Sequence, residues 1–202
     1  MSRVVVLDYG SGNLRSAERA LARVGADVTV TDDLAAAREA DGLVVPGVGA
    51  YAACMAGIDA LGAGAVVRAR VAAGRPVLGI CVGMQVLYEL GDEHGVRTEG
   101  IGVLAGEVRR LAAPILPHMG WNTVRPPAGS MLFAGLASDT RFYFVHSYAA
   151  KADLSAGDTI GEHGEPFAAA VERGSLAATQ FHPEKSGDAG AHLLTNWLAT
   201  LS

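Results

Sequence analysis

Cys54 and Cys81 are the only cysteines in the chain. Two are too few for a disulfide framework and suit a reducing cytoplasm, where a lone thiol is either buried or reactive. Charge is also scarce, at 18% of residues against 50% hydrophobic, which excludes a disordered chain. Basic side chains do not predominate: 16 against 21 acidic ones leave a net charge of −5 at pH 7. The whole chain therefore has no electrostatic footprint for nucleic acid or an anionic membrane. No run of about 18 apolar residues is free of charge, because the longest candidate, residues 62–83, is broken by Arg68, Arg70, Arg75 and Pro76. The first apolar run, Val4 to Leu7, is far too short for a signal sequence. These absences predict a soluble cytoplasmic protein whose partner is a small molecule or another protein.

With 202 residues and no repeat, charge block or Pro/Ser linker, one domain over residues 1–202 is the simplest expectation. Arg3 to Leu7 is a β-branched run leading into the glycine turn Gly10-Ser11-Gly12. Leu14, Ala17, Leu21 and Val24 then follow at helical spacing, and Gly25 stops the stripe. Asp27 to Thr31 reads as a second strand, and Asp32 or Asp33 as the cap of a short helix through Ala40. Gly42 to Val45 reads as a third strand, ending in Pro46-Gly47-Val48-Gly49. A helical stretch from about Gly64 to Ala73 precedes Val77 to Ile80, which has the character of a strand buried on both faces. Val82 to Leu90 is expected as one helix, and residues 101–172 as short strands added antiparallel to the sheet. Ser175 to Phe181 returns as a strand, and Asp188 can cap a last helix whose Leu193, Leu194, Trp197, Leu198 and Leu201 face the core. The alternation predicts a doubly wound α/β fold: an open, mostly parallel sheet with helices on both faces and antiparallel additions.

Gly79-Ile80-Cys81-Val82-Gly83 has the form of a strand-to-helix elbow that holds a nucleophile at a helix N-terminus, where the dipole and free N–H groups favour a thiolate. Taken alone, the pentapeptide fits a small core cysteine equally well. His182-Pro183-Glu184 weighs against that reading, because it ends another predicted parallel strand, and parallel strands deliver their ends to one edge. There His182 can take the proton of Cys81 and Glu184 can hold the imidazole tautomer. Acyl chemistry also needs oxyanion donors. Val82 N–H is one candidate, and the Gly47-Val48-Gly49 turn offers others. His94, His118, His146, His163 and His192 lie scattered, so no metal site is expected. Gly10-Ser11-Gly12-Asn13 lacks dinucleotide-binding spacing and no phosphate-loop lysine follows a glycine run, so no cofactor is expected.

At these motifs the chain resembles the class I glutamine amidotransferases and, within them, the glutaminase subunits of imidazole glycerol phosphate synthase. The blocks that single out the subunit begin at Asp8-Tyr9-Gly10, Pro46-Gly47-Val48-Gly49, Pro117-His118-Met119-Gly120-Trp121-Asn122 and Phe142-Tyr143-Phe144-Val145-His146-Ser147-Tyr148. The elbow and Gln180-Phe181-His182-Pro183-Glu184-Lys185 are common to the wider class. The resemblance implies that Cys81 attacks the carboxamide of glutamine, that His182 protonates the departing ammonia, and that Glu184 orients His182. It implies that Gln85, Glu93, the backbone at Gly47 and Gly49, Ser147 and Tyr148 recognise glutamine. It implies a heterodimer with a (β/α)₈-barrel cyclase that receives the ammonia, with Asn13, Trp121, Asn122, Tyr143 and Lys185 near the docking face or the ammonia exit. Core packing for Trp121 and Tyr143 and a solvated charge for Lys185 are the plainer readings, and Cys54 is expected as a buried structural residue. Val48, between two glycines, suggests a peptide that turns to present its N–H. A glutaminase serving another synthase, or a thiol sensor without catalysis, is the alternative function.

Overall fold

A computed structural model describes residues 1–201. Seven strands form the main sheet. In chain order the first elements are β1 (Arg3–Leu7), α1 (Leu14–Arg23), β2 (Asp27–Thr31), α2 (Leu34–Glu39), β3 (Gly42–Gly47), α3 (Tyr51–Leu61), α4 (Ala63–Ala72) and β4 (Val77–Cys81). The chain continues through α5 (Val82–Gln85), β5 (Tyr88–Glu93), β6 (Val96–Glu99), β7 (Leu104–Arg110), β8 (His118–Thr123), β9 (Arg141–His146) and β10 (Tyr148–Ala150). It closes with β11 (Thr159–His163), β12 (Glu165–Arg173), β13 (Leu176–Thr179), a 3₁₀ turn at Pro183–Lys185 and α6 (Gly187–Leu198). The main sheet runs β11-β12-β13-β4-β3-β1-β2, parallel from β13 to β2 and antiparallel at β11 and β12. Its central strands are buried along their whole length, as a sheet covered on both faces requires.

The doubly wound α/β architecture is as the alternation predicts, with four local corrections. The expected helix from Val82 to Leu90 is a single turn ending at Gln85. Beyond it the backbone is captured by a distant segment, since Val86 carbonyl accepts from Ile101 N–H and Leu87 carbonyl from Val103 and Leu104 N–H. Tyr88 to Glu93 then form a strand, so tertiary pairing overrides local helix propensity. The strands between Ile101 and Glu172 are not all additions to the main sheet. Only β11 and β12 join it, while β10-β7-β5-β6 form a second sheet and β8-β9 a separate ribbon. Helix α3 lies where no helix was expected, although Tyr51, Cys54, Met55 and Ile58 are its buried stripe at helical spacing. Finally, Ser186 and not Asp188 stands at the start of α6. Asp188 lies in its first turn and pairs with Arg23 at 3.1 Å.

Arg70 explains how the strands that carry the site stay in register. Its guanidinium is 2% exposed and donates to the carbonyls of Ala37, Arg38, Ala40, Asp41 and Pro76. Those carbonyls belong to the segments entering β3 and β4, so one cation ties the start of both strands. At their other ends Gly47 stands opposite Cys81.

Candidate active site

Cys81 closes β4 with φ 56° and ψ −115°, a left-handed backbone that a residue other than glycine seldom adopts. The elbow is held there by close backbone approach to β3. A Cβ on Gly83 would lie 1.8 Å from Val45 carbonyl oxygen, and one on Gly47 would lie 2.5 Å from Gly83 nitrogen. Glycine is therefore obligatory at both positions, and the strained backbone that sets Cys81 against the cleft is held by the packing of two strands. Because α5 is one turn long, little of a helix dipole is available to Cys81. Its setting depends instead on the neighbouring side chains.

His182 lies three residues beyond β13, the strand parallel to and paired with β4. Its N–H donates to Tyr143 carbonyl at 2.9 Å and its carbonyl accepts Ser186 Oγ at 2.7 Å. Its Nδ1 meets Glu184 Oε1 at 2.6 Å, and both side chains are almost fully buried. A carboxylate at Nδ1 fixes the proton on that nitrogen. The other nitrogen, Nε2, makes no hydrogen bond within the chain. Burial pushes the His182 pKa down, but the Cys81 sulfur and the Glu184 carboxylate outweigh it and raise the pKa to about 9.

A cleft of about 640 Å³ gathers most of the candidates. Cys81, Val82, His182, Val48, Gly49, Gln85, Glu93, Ser147, Tyr148 and Lys185 all line it. Glu184 stands behind His182, beside a narrow recess that also holds Asn13 and Gly47. Gln85 donates through Nε2 to Tyr148 carbonyl at 2.9 Å, and Glu93 accepts the Tyr51 N–H that opens α3 at 2.6 Å. Trp121, Asn122 and Tyr143 do not line the cleft. Trp121 and Tyr143 are cross-strand partners on the β8–β9 ribbon, with rings 5.9 Å apart. Trp121 is 53% exposed, so core packing is not its role. Lys185 is exposed at the cleft rim.

Val48 is 39% exposed, and Ser11 holds its peptide. Ser11 Oγ donates to Val48 carbonyl at 2.8 Å and accepts Val48 N–H at 3.4 Å. Cys54 is buried as expected, and its sulfur lies 3.4 Å from the same carbonyl.

Sequence reasoning passed over two features. Gln180 is fully buried, accepts Gln85 Nε2 at 3.0 Å and directs its own Nε2 at the Cys81 sulfur at 3.8 Å. Its signal was a glutamine two residues before the candidate base, at a strand end that should be apolar. Nor are the histidines all scattered: His118, His146 and His163 meet beneath the ribbon, with the His118 ring 5.0 Å from His146 and 4.3 Å from His163. Among the described residues, no three His, Cys, Asp or Glu side chains are placed to hold a metal ion.

Comparison with known proteins agrees with this geometry. The family model for class I glutamine amidotransferases matches residues 5–201. The chain is 62% identical to the imidazole glycerol phosphate synthase subunit HisH of Thermobifida fusca, over 98% of this chain and 99% of that protein. It is 63% identical to the subunit of the same name from Mycobacterium bovis, over 96% of each. The solved structure of PurLQS from Thermotoga maritima superposes with a TM-score of 0.75 at 18% identity, covering 100% of both chains, a likeness of fold. A glutamine amidotransferase crystal structure gives 0.74 at 23%, covering 98% of each. An elbow cysteine, a carboxylate-backed histidine and a family match from Val5 to Leu201 lead to one assignment: the chain belongs to the class I glutamine amidotransferases.

Proposed function

We propose that this chain is the glutaminase subunit of a cytoplasmic imidazole glycerol phosphate synthase and that residues 1–202 act as one catalytic domain. The observation that carries the chemistry is the convergence of Cys81 and the free Nε2 of His182 on one cleft, with Glu184 fixing the imidazole from behind. Identity of 62% and 63% over nearly the full length of the named subunits supports the choice of synthase.

In this reading Cys81 Sγ attacks the side-chain carboxamide carbon of glutamine and its proton passes to His182. The negative charge on the tetrahedral oxygen is met by Val82 N–H and by Val48 N–H, once the Val48 peptide leaves Ser11. His182 Nε2–H protonates the departing nitrogen, ammonia leaves, and a γ-glutamyl thioester remains. Water, deprotonated by the same nitrogen, cleaves the thioester to glutamate and restores the thiol. Glu184 stays ionised and holds the Nδ1–H tautomer throughout. Gln85, Glu93, Ser147, Tyr148 and the Gly47 and Gly49 backbone hold the substrate.

Ammonia released into water at pH 7 is mostly protonated and no longer a nucleophile, so useful delivery calls for a docked synthase. The ribbon supplies a surface for one, because Met119 and Trp121 are 61% and 53% exposed on its outward side. A (β/α)₈-barrel cyclase covering that side would place Asn13, Asn122, Tyr143 and Lys185 at or behind the contact. The deciding assay is glutamate release by the purified chain, alone and with the cyclase and its ribonucleotide. Little activity alone and a large rise in the mixture are expected. High activity indifferent to the cyclase would overturn the choice of synthase, and none in either condition would overturn the triad.

A further inference from the structure

The buried histidines under the ribbon form a chain of hydrogen bonds in which every proton is determined. His118 and His146 face each other across β8 and β9 and are 5% and 7% exposed. Tyr148 carbonyl can only accept, so the contact at 2.9 Å makes His146 Nδ1 a donor. A neutral His146 then offers only a lone pair at Nε2, and His118 Nδ1, at 2.9 Å, must donate to it. That leaves His118 Nε2 as an acceptor for Asn122 Nδ2 at 3.2 Å. The second Nδ2 hydrogen goes to Glu162 carbonyl at 3.0 Å, and Asn122 Oδ1 accepts Thr123 N–H at 2.9 Å, which fixes the orientation of the amide.

Both rings are kept neutral. Burial pushes His118 down to about 4, with His163 adding to the drop. Burial likewise takes His146 to about 3, opposed by its bond to Tyr148 carbonyl and helped by the neighbouring histidines. A protonated ring at either position would set a donor against a donor. The His118 ring cannot swing away, because it is stacked between Phe144 at 4.7 Å and His163 at 4.3 Å.

The far end of the chain lies in the cleft. Tyr148 carbonyl also accepts Gln85 Nε2, whose other hydrogen goes to Gln180 Oε1, and Gln180 Nε2 meets Cys81. Apolar side chains at positions 118 and 146 would fill the same space without the desolvation of two imidazoles, so packing alone does not account for them.

We propose that Asn122, His118 and His146 form a neutral hydrogen-bond relay that sets the Tyr148 carbonyl and, through it, the Gln85 amide. The ribbon bearing Trp121 and the glutamine site would then move as one unit. His118 and His146 are thus positioning residues, and the proposal rests on the glutaminase reading above.

The test compares His118→Phe with His118→Asn in the complex with the cyclase. Asparagine retains an N–H where Nδ1 stands, whereas phenylalanine does not. His118→Phe is expected to raise KM for glutamine about tenfold with kcat changed less than about threefold, as loss of one positioning hydrogen bond implies. His118→Asn is expected to recover most of the KM. An unchanged KM in His118→Phe, or an equal defect in both variants, overturns the relay. Nitrogen-15 NMR of the imidazoles in the unmodified chain at pH 6.5 reads the protons directly. Both rings should be neutral and protonated at Nδ1; a proton at Nε2 or a charged ring in either residue overturns the proposal even if His118→Phe fails to fold. If the unmodified complex releases no glutamate, the glutaminase reading has failed, and the NMR pattern still decides the relay.

Discussion

His182 and the pair His118–His146 are buried to a similar depth, at 2%, 5% and 7% exposure, yet their protons are set in opposite directions. His182 stands beyond the end of a parallel strand, with the Glu184 carboxylate at 2.6 Å and the Cys81 sulfur beside it, and these raise it to about 9 against the effect of burial. The ribbon pair has each other, Asn122, a carbonyl, the His163 ring and the rings of Phe144 and Phe167, and falls to about 4 and about 3. Burial alone therefore does not decide the charge of a histidine here; the sulfur and carboxylate beside it do. The strand-end corner holds an imidazole that can carry a proton to a leaving group. The ribbon holds two that carry none and keep direction instead.

Removing the proposed nucleophile breaks the comparison most completely. Cys81→Ala is expected to lower glutamate release in the complex about a thousandfold or more, with the circular dichroism of the folded parent retained. Cys54→Ala, which removes a second contact to Val48 carbonyl and one to Ser11 Oγ, should stay within about threefold of the parent. A comparable loss in both variants would remove the distinction between the two thiols. Glu184→Gln comes next, expected to lower turnover about a hundredfold. It should also move His182 toward the ribbon histidines, its NMR titration falling from about 9 while the Cys81 sulfur still opposes burial. If His182 still titrates near its parent value in that variant, the carboxylate is not what separates the two regions.

The same contrast divides what could be read from the sequence. Strands β1 to β4, with α1 and α2 between them, follow from signals local to each segment: β-branched runs, glycine stops and an aspartate cap at Asp33 that accepts from Ala35 N–H at 2.8 Å. Cys81 and His182 were legible because a glycine elbow and a strand-end His-x-Glu are also local, and parallel topology brings them to one edge. Beyond Gln85 the deciding partners are remote. Val86 is captured by Ile101, and His118 meets its partner 28 residues away across an antiparallel pair. No period in the sequence announces such pairings, so the predicted helix ran on to Leu90 and three histidines that meet looked scattered. Gln180 was hidden differently, since its place at the end of an apolar strand marks it as unusual but not which polar groups it meets.

The smallest expected effect, on stability, tests the opposite signs directly. His182 has a folded-state pKa above its unfolded value of 6.5. Its contribution is therefore complete below about pH 6.5 and is lost as pH rises through about 9. His118 and His146 have folded-state values below 6.5, so the unfolded chain binds more protons than the folded one just below that pH, and stability falls as the solution is acidified. Each histidine contributes a slope on the order of 1 kcal/mol per pH unit within its window. Between about pH 5 and 6.5, above the range where ordinary carboxylates titrate, denaturant unfolding should show stability rising with pH. Between about pH 7 and 8, below the ordinary thiol value of about 8.5 and that of phenols, it should show stability falling. His118→Asn removes one titrating ring while leaving a donor for His146, so it should flatten the acid slope and leave the alkaline one intact. Glu184→Gln should do the reverse. If His118→Asn leaves the acid slope as steep as in the parent, the ribbon histidines are not held neutral. The stability of this region would then have to come from packing of the rings alone.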